Sequence, residues 1–209
     1  MPCSLKHERE FHEQVVFPVA GIDEAGRGPL AGPVVAAAVI LPLRFKSLGL
    51  DDSKKLSATA REKHYARITN DPEVIWAVAF RESDAIDRVN ILRATHEAMR
   101  DAASALLLPA AHALIDGLPV RPFPITHTAL VGGDGISLSI AAASVIAKVT
   151  RDHIMARHAE AWPEYGFEQH KGYATAGHLA RLQRHGPCPI HRRSFGPVAQ
   201  LSLALDLAS

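Results

Sequence analysis

Two adjacent carboxylates end an apolar run in Gly21-Ile22-Asp23-Glu24-Ala25-Gly26-Arg27-Gly28. Asp116 follows Ala113-Leu114-Ile115 and precedes Gly117, and Asp134 follows Leu130-Val131-Gly132-Gly133. Each acid lies where a strand should end, and in open α/β sheets sites gather at strand ends. Carboxylates packed together repel, so such a cluster calls for cations. Oxygen ligands, without a cysteine set or a tight histidine pair, suit Mg²⁺ or Mn²⁺ rather than zinc. Two such ions, about 4 Å apart, can activate water and stabilise a leaving oxygen in phosphodiester cleavage. Neighbours on an extended strand point to opposite faces, so Asp23 and Glu24 share a site only if the strand twists or bulges. Two other readings stand beside this one. The acids could be solvated residues of a strand-end turn. Alternatively, the glycines could cradle a phosphate, but Gly26, Gly28 and Gly32 miss the dinucleotide-binding spacing by one residue.

Groups suited to a polyanion surround these acids. Asp51-Asp52-Ser53-Lys54-Lys55-Leu56-Ser57 sets hydroxyls and lysines just before a helix start, a good phosphate contact or simply a capped helix with solvated lysines. Ser144, Lys148 and Asp152 recur at i, i+4 and i+8 on one helix face, where Lys148 and Asp152 can pair with each other. The stretch Tyr165-Gly166-Phe167-Glu168-Gln169-His170-Lys171-Gly172-Tyr173 mixes aromatics with polar donors, as does His191-Arg192-Arg193-Ser194-Phe195. Rings stack on sugars or bases while Arg and Lys meet phosphates. Phe167 and Phe195 read more simply as core. His64, His96, His112 and His127 show no ligand spacing.

The elements that must position these groups alternate along the chain. Residues 19–23, 33–41, 74–81, 111–116 and 128–131 read as strands. Residues 58–69, capped by Ser57, and 89–107, 138–159, 174–185 and 197–207 read as helices. Strands come first and the last third is helical, which predicts an α/β sheet covered by helices with a helical C-terminal extension. Proline-rich breaks at 119–124 and 187–189 read as loops.

Composition narrows the class. The 209 residues carry 23 Lys and Arg against 22 Asp and Glu. From Lys148 to Gln200 there are eight basic residues against four acidic ones, which suits a polyanion held beside a carboxylate site. Two cysteines cannot form a disulfide framework or a four-thiolate zinc site. The start is polar rather than signal-like, and no apolar run is long enough to span a bilayer. A soluble, cytoplasmic protein is expected.

GIDEAGRGPLAGPVVAAAVIL, DDSKKLS, the LIDG around Asp116, GDGISLSIAAASVIAKVTRDHIM, YGFEQHKGY and HRRSFGPV together resemble ribonuclease HII, the bacterial type 2 ribonuclease H. The matches run in order from about residue 20 to 198. The resemblance implies a ribonuclease H-like fold: a mixed five-stranded sheet flanked by helices, with a small helical C-terminal part. It implies cleavage of RNA in RNA–DNA hybrids and incision 5′ of single ribonucleotides in duplex DNA, leaving 3′-hydroxyl and 5′-phosphate ends. It assigns Asp23, Glu24 and Asp116, with Asp134 as the fourth, to two Mg²⁺ or Mn²⁺ ions. It places backbone groups of Gly26, Arg27 and Gly28 against the 2′-hydroxyl, and the Tyr173 ring against the next deoxyribose. Further substrate contacts are expected at Ser53, Lys54, Lys55, Ser144, Lys148, Lys171 and Arg192. A broader carboxylate-metal nuclease or strand-transfer enzyme of the same fold is the alternative. Residues 1–15 are expected to be loosely ordered, 16–160 to form the catalytic domain and 161–209 the extension, in a monomer.

Overall fold

The computed structural model describes residues 3–201. Strands β1 (Val19–Ala25), β2 (Val34–Ile40), β3 (Ile75–Arg81), β4 (His112–Asp116) and β5 (His127–Leu130) form one sheet in the order β3-β2-β1-β4-β5. β2 runs antiparallel to β1 and β3, while β4 is parallel to both β1 and β5. This is the expected mixed five-stranded sheet, with strand ends within two residues of those read from the sequence.

Helices cover both faces: α1 (Lys6–Glu13), α2 (Ala58–Thr69), α3 (Ser83–Val89), α4 (Ile91–Ser104), α5 (Leu138–Ala161), α6 (Phe167–His170) and α7 (Ala176–His185). β2 shows why the sandwich closes. Val35, Ala37 and Val39 share a core with Ala142, Val145 and Ile146 of α5. Ala36, Ala38 and Ile40 share another with Ala98, Met99 and Ala102 of α4. A strand buried on both faces is a continuous apolar run, and its alanines let both helices approach. At Gly21 in β1, a Cβ would lie 2.2 Å from the Ile140 amide nitrogen, so only glycine admits the start of α5 there.

Ser57 caps α2 as expected, its Oγ accepting from the Ala60 amide at 3.2 Å. The helix read over 89–107 is instead two helices. Asn90 adopts φ 70°, ends α3, and accepts from the Arg93 amide at 3.0 Å to begin α4. Asparagine tolerates this left-handed backbone and caps helices well, so one residue breaks an otherwise continuous periodicity.

The N-terminal segment also differs from expectation. Residues 6–13 form α1 rather than a loose tail, because Leu5 is buried in the core and Glu8 is buried against the start of α5. Glu8 Oε1 accepts from Ser137 Oγ at 2.6 Å, the Ser139 amide at 3.0 Å and Ser139 Oγ at 2.5 Å. Ser4 exchanges backbone bonds with Ile136 and Leu138.

After α5, the chain turns back through α6 and α7 onto the loop following β1: Ala31 joins a cluster with Tyr165 and Phe167, and Leu30 one with Leu182 and Val198. Residues 196–201 are helical, and the remainder of the helix read over 197–207 lies outside the described residues. Among the described residues no helix is long and apolar enough to cross a membrane.

Candidate active site

β1 and β4 lie side by side in parallel with Ile22 opposite Ile115, so Asp23 and Asp116 emerge together at the same end of the sheet. A short 3-10 turn, Gly133–Gly135, brings in Asp134. One carboxylate oxygen from each of Asp23, Asp116 and Asp134 lies within 4.8 Å of the others. Glu24 is one pleat on and points to the other side of β1. It lines the same groove but stands outside this triad, with Oε1 held by Arg27 Nη1 at 3.3 Å. Both acids thus line one groove from successive positions of a regularly paired strand, with Glu24 outside the tight cluster.

Neighbouring groups fix the acids. Asp23 Oδ1 accepts from the Glu24 amide at 2.7 Å, and Asp116 Oδ1 from the Gly133 amide at 2.7 Å. Lys54 Nζ donates to Asp134 Oδ2 at 3.3 Å. Ser144 Oγ donates to Ser53 Oγ at 2.8 Å. Burial raises Asp23 well above the ordinary carboxylate range, and Glu24 and Asp116 push it in the same direction. Burial also raises Glu24, against the pull of Arg27, and raises Asp134, with Asp116 and Asp52 adding to the effect and Lys54 opposing it. Buried oxygens crowded together with so little counter-charge are a fitting donor set for a hard divalent cation.

The glycine loop is held from behind by two buried arginines. Arg151 donates to the carbonyls of Ala31, Pro33 and Lys171 at 2.9 to 3.0 Å. Arg192 donates to those of Gly26, Arg27 and Gly32 at 2.6 to 3.0 Å. Gly26 has φ 95°, and a Cβ there would lie 2.1 Å from Arg151 Nε, so the position requires glycine twice over. With its carbonyls turned inward, the loop presents Gly28 outward. Among the described residues the Gly28 amide has no intramolecular acceptor, and the Tyr173 ring lies 3.9 Å from where a Cβ on Gly28 would be. Tyr173 is 44% exposed, so it is a rim residue and not part of the core.

Asp23, Glu24, Gly26, Arg27, Gly28, Ser53, Lys54, Asp116, Ser144, Lys148 and Tyr173 thus line one groove of about 260 Å³, with Asp134 reached through Lys54. Lys148 pairs with Asp152 at 2.7 Å, the partner its spacing suggested. Three expected contacts fall elsewhere. Arg192 is completely buried and directs its donors at carbonyls, so it shapes the loop instead of touching a substrate. Lys55 turns to Asp51 at 3.0 Å, outside the groove. Lys171 contributes its carbonyl to Arg151 and does not line the groove. Sequence reasoning missed Arg151 as the organiser of the loop, because a buried arginine without a carboxylate partner leaves no pattern in the sequence.

The family profile described as Ribonuclease HII matches residues 20–198. The chain belongs to the ribonuclease HII family. The ribonuclease HII of Xanthomonas campestris pv. campestris (strain B100) is 52% identical over 192 residues, covering 91% of this chain and 79% of that protein. That of Syntrophotalea carbinolica is 48% identical over 196 residues, covering 94% and 93%. The fold is similar to that of RNase HII from Archaeoglobus fulgidus, solved in complex with PCNA, with a TM-score of 0.70 and 27% identity over 86% of this chain and 96% of that one. The ribonuclease H2 of Pyrococcus horikoshii shares the fold at a TM-score of 0.70 and 24% identity, covering 90% and 98%. Membership makes the chain a divalent-metal-dependent endonuclease with ribonuclease H activity on RNA–DNA hybrids.

Proposed function

We propose that the enzyme also incises 5′ of single ribonucleotides embedded in duplex DNA, leaving 3′-hydroxyl and 5′-phosphate ends. One juxtaposition carries this reading: an unpartnered Gly28 amide and a half-exposed Tyr173 ring stand together beside the carboxylates. A backbone donor fixed against a sugar can read a 2′-hydroxyl, the group that separates RNA from DNA. An aromatic ring on the adjoining sugar stacks best where no 2′-hydroxyl intervenes.

Asp23, Asp116 and Asp134, with Glu24 at the rim, would hold two Mg²⁺ or Mn²⁺ ions. When bound, such ions supply Lewis acidity at the attacking and leaving oxygens. The protein's own part is positional. The rigid loop seats the ribose, Tyr173 sets the register, and Lys54, Ser53 and Ser144 border the scissile phosphate. The proposed acting unit is the monomer. Removal of ribonucleotides from cytoplasmic DNA is the corresponding role.

The test is a duplex carrying one ribonucleotide, incubated with protein and Mg²⁺. A single nick 5′ of the ribonucleotide is expected, with an upstream end that a polymerase extends and a downstream end bearing phosphate. Cuts scattered through all-DNA duplex at a similar rate would overturn the reading and favour the broader carboxylate-metal nuclease.

A further inference from the structure

We propose that α4 and the loop after β4 form a track for the phosphodiester backbone of the duplex beyond the cut, built from Arg93, Arg100 and Arg121 around His96. The proposal extends the nucleic-acid reading above and rests on it. Arg93, His96 and Arg100 stand at i, i+3 and i+7 on α4 and so share one face. With Arg121 and Pro122 they line a recess of about 310 Å³. A second recess, lined by Glu24, Arg27, His96, Asp116 and Leu118 among others, joins it to the active site. His96 belongs to both recesses, while Glu24, Arg27 and Asp116 belong also to the catalytic groove. One continuous course therefore leads from the carboxylates past Arg27 and His96 to the three arginines.

The unpaired charge lining the outer recess is positive. Glu97 is the acid lining the outer recess, and it already accepts from Arg81 Nε at 3.1 Å. Among the described residues Arg93, Arg100 and Arg121 have no carboxylate partner; Arg100 Nη1 donates to the Pro122 carbonyl at 3.3 Å. His96 shares the inner recess with Arg27 and the outer one with Arg100. Unneutralised arginines that continue an active-site groove match a polyanion, whose binding gains from releasing its counterions. A protein partner would more commonly meet a patch with an apolar centre, and the outer recess is lined by charged groups, His96 and Pro122.

Steady-state cleavage of duplexes bearing one ribonucleotide tests the track, over a range of salt concentrations, with wild type and the Arg93→Gln/Arg100→Gln/Arg121→Gln variant. On a long duplex the variant should show a several-fold higher KM, an unchanged kcat, and a salt dependence shallower by about 2 to 3 in the log–log slope, near 0.9 for each phosphate left without its arginine. Two further duplexes are cut back to the ribonucleotide's immediate neighbours, each on one side only. The variant's defect should vanish on one of them and persist on the other. An unchanged KM on the long duplex, or an equal defect on both shortened ones, overturns the track. Arg121→Gln alone, in an exposed loop, should show part of the effect with an unchanged melting temperature, so misfolding of the triple variant cannot hide the answer. If wild type cuts RNA–DNA hybrid but ignores the single ribonucleotide, the proposed function fails, and the same three lengths built as hybrids still decide the track.

Discussion

Asp23 is the most deeply buried of the clustered acids, and its chemistry separates catalysis from stability. Asp23→Asn keeps the size and removes a charged ligand, so cleavage should fall by far more than tenfold, the equivalent of about 1.4 kcal/mol of barrier. Retention of a tenth of the wild-type rate would remove Asp23 from the site. The metal-free fold should respond in the opposite direction. A carboxylate whose pKa is raised by folding contributes most below its ordinary value near 3.8, and that contribution is lost as pH rises through the raised value. The melting temperature of Asp23→Asn relative to wild type should therefore climb as pH rises from about 4. Added Mg²⁺ should stabilise wild type more than the variant, and a gap that stays flat with pH would contradict the buried charge. Tyr173→Ala should weaken cutting at a ribonucleotide–deoxynucleotide junction by about 1 to 3 kcal/mol, the range for removing a stacked ring. Cutting inside continuous RNA should suffer less, and the melting temperature should hold because the ring is on the rim. Tyr165 is the contrast. It is buried, and its hydroxyl donates to the Gly186 carbonyl at 2.7 Å, so its loss should lower stability without altering junction preference.

At the scale of elements, the site depends on segments that carry none of its chemistry. Helix α1 clamps the turn that bears Asp134: Glu8 takes three donors from Ser137 and Ser139, and Ser4 bonds to the backbone on either side of Ser137. Glu8→Ala leaves those buried donors unsatisfied, at a cost of about 1 to 3 kcal/mol each before any rearrangement. Calorimetric titration should show weaker Mn²⁺ binding, because a displaced Asp134 loosens the donor set, and outer-shell losses commonly reduce metal affinity by about 10- to 100-fold. Unchanged affinity with a lowered melting temperature would make α1 a purely structural brace. Helix α5 supplies the opposite kind of support. Its first ten residues are buried all round and rest directly on Gly21, two residues before Asp23, so it fixes β1 and presents Ser144 and Lys148 along one line.

Across the whole molecule, the C-terminal part is braced internally by a chain of buried imidazoles that ends on the backbone of Tyr173. The Cys188 amide donates to His191 Nδ1 at 3.0 Å, His191 Nε2 donates to His178 Nε2 at 3.0 Å, and His178 Nδ1 donates to the Tyr173 carbonyl at 2.9 Å. This chain works only with both rings neutral, and burial pushes each down to about 4. A base depressed by folding contributes fully above its ordinary value near 6.5 and loses that contribution as pH falls towards 4. Stability should therefore fall as pH drops through that window, the two rings acting together because each lies against the other. Denaturant unfolding at pH 7, 6 and 5 should show this fall, and His191→Gln should flatten it; an equal slope in the variant would place the pH sensitivity elsewhere. Much of this enzyme was legible from residue order alone. Alternation and turn residues mark strands because the pleat has period two, and Asp23, Asp116 and Asp134 announced themselves by ending apolar runs. The Ser57 cap and the Lys148–Asp152 pair were legible because both are local, acting within one turn or two of a helix. What lay hidden is long-range. Arg192 and Arg151 look like surface base in a linear string, yet they are buried because carbonyls of residues 26–33, more than a hundred positions earlier, converge on them. Glu8 looks like tail charge until α5 brings its serines alongside. A sequence states the period of each element and the groups each can offer; only packing decides which distant donor meets which acceptor, because an unsatisfied buried polar group costs more than any local preference can offset.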